Sequence, residues 1–136
     1  MIQENLTVQT RGFSDVIDLS SYINDFLEDI DGEGILNIFV PGSTAGITTI
    51  EFEPGCIYDL KQALEKIAPE DKTYRHNERW GDGNGFSHLR SALLGPGLTA
   101  PFKDGHLLNG TWQQVVLVDS DNRARERKLI LTAHLS

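Results

Sequence analysis

The chain has 136 residues, one domain's worth and enough to bury a core without staples, with 39% hydrophobic and 24% charged residues. Its net charge of −8 excludes a generic nucleic-acid binder and a protein docked on anionic lipid, since both need an excess of Lys and Arg. The one cysteine, Cys56, excludes an intramolecular disulfide and a Cys-rich metal centre. No apolar run is long enough to span a bilayer, and the N-terminal "MIQENLTVQT" lacks the basic and apolar regions of a signal peptide, so the expectation is a cytoplasmic domain with no membrane partner.

In chain order, "NLTVQT" (5–10) alternates as a strand does. "SSYINDFLEDI" carries Ile23, Phe26, Leu27 and Ile30 at helical spacing, with Ser20 as N-cap and "DGEG" as the stop. "ILNIFV" (35–40) and the β-branched "TAGITTIEF" (44–52) predict two strands joined by a "PGS" turn. Pro54 opens a second helix with the stripe Ile57, Leu60, Leu64 and Ile67, closed by Pro69. The stretch from Tyr74 to Gly85 reads as a loop, leading into the helix "FSHLRSALLG" with Leu89 and Leu93 toward the core and Gly95 and Pro96 beyond its end. "LTAPF", "TWQQVVLVD" and "RKLILTAHL" complete a run of strands separated by turns at "KDG" and "SDNR". The sum is an α+β fold: one domain over 1–136, with a mainly antiparallel, sandwich-like sheet core and about three helices.

Chemistry concentrates in "YRHNERWGDGNGFSHLR" (74–90). His76 and His88 are metal-ligand types, and Asp82 adds an oxygen donor between them. This spacing is no HExxH signature, and two histidines bonded to backbone in a turn would read the same way. Gly83, Asn84 and Gly85 precede a helix N-terminus, where free amides and the helix dipole attract anions, although clustered glycines equally serve a turn at positive φ. Arg90 offers a charge-assisted bond to phosphate. Glu51 and Glu53 share a face around Phe52, so Glu51 is a candidate general base or metal ligand. Trp112 reads as core packing or an aromatic wall, and Cys56 as a packing residue with some thiolate character from its helix N-terminus. Arg123, Arg125 and Arg127 alternate, so on a strand they share one face, a basic edge suited to an anion or an acidic neighbour.

"GSTAGITTIEFEPG" (42–55), "YRHNERWGDGNGFSHLRSALLGPGLTAPF" (74–102) and "GTWQ" (110–113) resemble the YjbQ-like family, whose members are often labelled secondary thiamine-phosphate synthase. The resemblance implies a compact homotrimer with pockets near subunit boundaries and a ligand-binding pair at His76 and His88, with Arg90 at the family's basic position. Many relatives carry a third histidine where Ser43 stands, and another branch has one where this chain has Phe86. The implied activity is a transfer onto a thiazole phosphate with loss of pyrophosphate, in which either a divalent metal (Zn or Mg) or Arg and Lys side chains stabilise the leaving diphosphate of a phosphorylated small-molecule ligand. Metal-dependent hydrolysis with Glu51 as base, and a non-catalytic ligand-binding or assembly module, stand as the rival readings.

Overall fold

The computed structural model describes residues 1–136. Two antiparallel sheets carry the fold. The larger consists of β1 (Ile2–Thr10), β8 (Arg125–Leu135), β3 (Glu33–Phe39), β5 (Gly97–Lys103) and β6 (His106–Leu107), in that order. The smaller consists of β2 (Asp15–Asp18), β7 (Gln114–Asp119) and β4 (Ala45–Ile50). Four helices accompany them: α1 (Ser20–Leu27), α2 (Pro54–Ile67), α3 (Arg75–Trp80) and α4 (Gly85–Leu94).

The strand period of two builds the layers. In β7, Val115 and Leu117 point into the main core with Leu36 and Ile38 of β3, Leu129 and Leu131 of β8, and Ile23 and Leu27 of α1. Val116 and Val118 point the other way, where they meet Val16 of β2 and Leu64 of α2. The result is three layers: large sheet, small sheet, then α2 and α4. Because β7 is covered on both faces, its run is continuously apolar rather than alternating. No helix is long and apolar enough to cross a membrane.

The α+β class, the antiparallel pairing and most expected elements stand, with five corrections. There is a fourth helix, α3, inside the stretch expected to be a loop; Gly81 ends it at φ +71°. The short strands β2 and β6 were not expected, being only four and two residues long. On α4 the expected core leucines face outward, Leu89 at 47% and Leu93 at 63% exposure, while Phe86, Ser87, Arg90 and Ser91 are buried. Trp112, expected to pack, is 73% exposed. At the start of α1 it is the Asp18 carboxylate that accepts from the Ser20 amide and hydroxyl, so Ser20 is a helical residue and not the cap.

Candidate functional site

The site lies where β8 emerges from the core. Arg125, Arg127, Leu129 and Leu131 occupy one face of β8. The leucines fill the core, and the arginines continue the same row at its end. Arg127 is buried there because Asp119, the last residue of β7, meets it. Nε donates to Oδ2 at 2.7 Å and Nη2 to Oδ1 at 2.9 Å, with side-chain exposures of 5% and 0%. This bidentate pair satisfies the planar fork of the guanidinium. Nη2 also donates to Thr44 Oγ1 at 2.7 Å, and Nη1 has no intramolecular acceptor.

Asp121 is the hub of the floor. Its carboxylate accepts from Asn84 Nδ2 (3.2 Å), the Asn122 amide (2.8 Å), Thr44 Oγ1 (3.1 Å) and Arg125 Nη1 (2.6 Å). Burial pushes this carboxyl up, but the bonds from Asn84, Asn122 and Thr44 and the Arg125 charge outweigh it and hold the group below its ordinary value. A carboxylate offers about four lone-pair sites. All four are taken, so Asp121 ties three segments together and is no free base or ligand.

Above this floor stand the histidines. α3 carries His76 and α4 carries His88; their ring centroids are 4.3 Å apart at an interplanar angle of 42°. Asp82 Oδ1 lies 3.4 Å from His76 Nδ1, outside hydrogen-bonding geometry, and that buried nitrogen has no partner, nor has Asn84 Oδ1. Burial first, and then the neighbouring His76, push the His88 pKa below its ordinary value, against the opposing pull of Asp82 and Asp121. His76, His88, Asp82, Asn84, Trp80, Ser43 and the three arginines line one open groove of about 470 Å³. Arg123 is exposed there and makes no intramolecular hydrogen bond.

The donor chemistry fits a zinc-type ion: two imidazoles beside a carboxylate suit zinc, whereas magnesium takes oxygen ligands. The orphaned His76 nitrogen sits in that set. The ligand atoms of His76, His88 and Asp82 do not, however, all lie within 4.8 Å of one another; Glu51, Glu53 and Cys56 do. The histidines therefore form a two-residue holder with its remaining positions open.

Four expected site residues need correction. Arg90 does not reach the groove. Its side chain is 2% exposed, and it donates to Ala68 O through Nε (3.0 Å) and Nη2 (2.8 Å), to Ser14 Oγ (2.9 Å) and to Glu65 (2.6 Å). It is a strut between α4, the end of α2 and the β1–β2 turn. Glu51 follows β4 at its opposite end, roughly 20 Å along the strand from Thr44 at 3.3 Å per residue. There it accepts from the Cys56 thiol at 3.6 Å, beside Glu53, which caps α2. Burial, then Glu53 and Glu51, push that thiol up, against the thiolate character expected of the helix start. Gly85 is no anion cradle: its amide donates to Asn77 Oδ1, and a Cβ would sit 2.6 Å from Tyr74 Cβ. Gly83 has φ +70°, so the turn itself requires it, while Asn84 does reach the groove.

Ser43, at the family's histidine position, lines the groove, whereas Phe86 is 2% exposed beneath the Arg90 guanidinium, 4.9 Å from its ring. Sequence reasoning missed Asp119, Asp121, Thr44 and Trp80. The signal for the aspartates was present: Asp119 and Asp121 precede three arginines at the same spacing of two, acids and bases laid out to pair across a turn.

A family model described as "UPF0047 protein YjbQ-like" matches residues 4–135. A UPF0047 protein of Mycobacterium tuberculosis is 39% identical over 116 residues, covering 84% of this chain and 86% of that one. One from Archaeoglobus fulgidus is 30% identical over 128 residues, covering 94% and 98%. Among solved structures, a YbjQ-like protein of unknown function from Sulfolobus solfataricus superposes with TM-score 0.92 at 27% identity, covering 99% of this chain and 97% of that one. A hypothetical protein from Aeropyrum pernix gives 0.91 at 28%, covering the whole of both chains. With a match that runs almost from end to end, this chain belongs to the UPF0047 YjbQ-like family.

Proposed function

We propose that the groove binds a phosphorylated small molecule, with a zinc-type ion held by His76 and His88 beside Asp82, and that it supports a diphosphate-displacing transfer of the thiamine-phosphate synthase kind. The observation that carries the reading is the lining of one groove by Arg123, Arg125 and Arg127 opposite the two imidazoles. Arg123 is uncommitted, Arg125 has one terminal nitrogen bonded to Asp121, and Arg127 presents Nη1. Guanidinium donors bind phosphate through charge-assisted hydrogen bonds, and Arg125 and Arg127, anchored by Asp121 and Asp119, would stabilise a leaving diphosphate with little reorganisation. The bound ion would add a Lewis acid at the same oxygens. In a transfer of this class a C–N bond forms to the thiazole nitrogen as the C–O bond to diphosphate breaks, and pyrophosphate leaves. Trp80, 66% exposed in the groove, takes the role of aromatic wall that the sequence suggested for Trp112.

The assembly we propose is a homotrimer in the cytoplasm. The exposed leucines of α4, one turn apart beside His88, support a covering neighbour.

Pyrophosphate titration by calorimetry tests the binding site. Arg123→Ala removes a side chain that holds nothing else, so at least tenfold weaker binding with unchanged stability is expected. Elemental analysis after chelator-free isolation should find metal in the wild type and none in His76→Ala/His88→Ala. Indifference of pyrophosphate to Arg123→Ala sinks the anion site. Binding without turnover of a pyrimidine methyl diphosphate and thiazole phosphate pair would leave a binding module.

A further inference from the structure

His88 faces two spaces. Besides the charged groove it lines a recess of about 230 Å³, and Gly42 and Ser43 are likewise shared between the two. Beyond this junction the recess is walled by Ala45, Ser91, Ala92 and Pro96, with no Lys, Arg, Asp or Glu among its lining. A phosphate has no counter-charge there, whereas an uncharged group meets small apolar walls that leave room for it.

One polar feature breaks that apolar lining. Ser91 is 5% exposed, and its Oγ is buried without a hydrogen-bond partner; Ser87, one turn earlier on the same helical face, is 0% exposed and in the same state. Buried hydroxyls are nearly always partnered, and because Ser91 lines the recess, a turn about its χ1 brings the unpartnered Oγ to a group lying there. Helix α4 fixes the spacing, because Ser91 follows His88 by three residues and Ala92 by four, which sets all three toward one side.

We infer that this recess is a second arm of the ligand site, holding a small uncharged hydrogen-bonding group of the same ligand against Ser91 while the phosphate lies on the arginines. The inference rests on the anion reading of the groove only for the phosphate end. It specifies the ligand class further: a phosphorylated molecule bearing an uncharged hydroxyl, amide or ring nitrogen within reach of its phosphate, with His88 between the two ends.

Alanine-methyl NMR tests it on the intact protein, using the methyls of Ala45 and Ala92 as reporters and acetamide as the probe. Acetamide should shift both methyls saturably in the wild type, at least threefold more weakly in Ser91→Ala, and not at all in Ala92→Leu, which fills the recess. Ser91→Ala introduces the strongest helix former and removes only an unpartnered hydroxyl, so it folds. Carbamoylmethyl phosphate, which joins amide to phosphate, should bind at least tenfold tighter than inorganic phosphate in the wild type, a gain that shrinks at least threefold in Ser91→Ala and vanishes in Ala92→Leu. No saturable shift, or equal acetamide affinity in Ser91→Ala, overturns the recess as a site. No gain from joining the groups overturns the single two-ended ligand. Inorganic phosphate that fails to bind while acetamide succeeds would instead remove the anion reading and leave the recess standing.

Discussion

At the scale of single residues, two arginines show how the same side chain serves opposite ends. Arg90 is surrounded by acceptors already in place: a carbonyl, a hydroxyl and a carboxylate. Arg123, on the turn before β8, has none. Arg90→Met should therefore cost about 3 kcal/mol of unfolding free energy, as charge-assisted bonds are lost and Ala68 O is stranded, while Ser14 Oγ keeps its bond with Ser120 Oγ. Urea denaturation measures this, and an unchanged midpoint with lost pyrophosphate binding would return Arg90 to the ligand. His88 supplies a pH prediction. Its pKa in the folded chain lies below the ordinary histidine value of 6.5, so the unfolded chain binds more protons between the two values. Stability from this group is complete above about pH 6.5 and is lost as the pH falls toward the folded value. In metal-free protein, urea midpoints should drop between pH 7 and pH 5, and His88→Gln should flatten that drop. An equal slope in the variant would assign the effect to other groups.

At the scale of elements, the histidine pair depends on how α3 docks on α4. Asn77 of α3 accepts from the Gly85 amide, and Gly85 lets Tyr74 pack directly against the start of α4. Gly85→Ala should push Tyr74 away, cost about 1–3 kcal/mol as overpacking does, and lower metal occupancy by separating His76 from His88. Thermal melting and elemental analysis on the same sample check both parts; intact occupancy would mean the two rings do not act together. The short helix was hard to read because "YRHNERWGDG" contains no apolar stripe, and its six residues are held by Tyr74 and Asn77 rather than by a buried face. Strand β8 was legible for the opposite reason. Its period of two displays the arginines and the core leucines as one row, and the structure divides that row between site and core.

At the scale of the whole molecule, the small sheet is shared between two cores and the large sheet closes one of them. The helical layer leaves Tyr58 and Ile67 of α2, and Leu89 and Leu93 of α4, exposed, each at 47% or more. Light scattering should give a three-chain particle, and Leu89→Glu with Leu93→Glu should shift it to monomer while leaving the circular dichroism spectrum intact. A wild-type monomer would place the whole pocket within one chain.

The sequence by itself determined the α+β class, the order of the main strands and helices, the family, and the sharing of one strand face by Arg125 and Arg127. These are properties of period, turn residues and local motif, which act over a few neighbours. Tertiary structure alone decided which polar side chains are committed and which are free. Arg90 is buried because acceptors from distant segments converge on it, and around Arg127 the distant Thr44 joins the nearby Asp119. Asp121 is saturated by donors from three parts of the chain. Glu51 is lost to the site because a whole strand separates it from Thr44. Burial and hydrogen-bond saturation arise from contacts between residues far apart in sequence, so no local pattern encodes them.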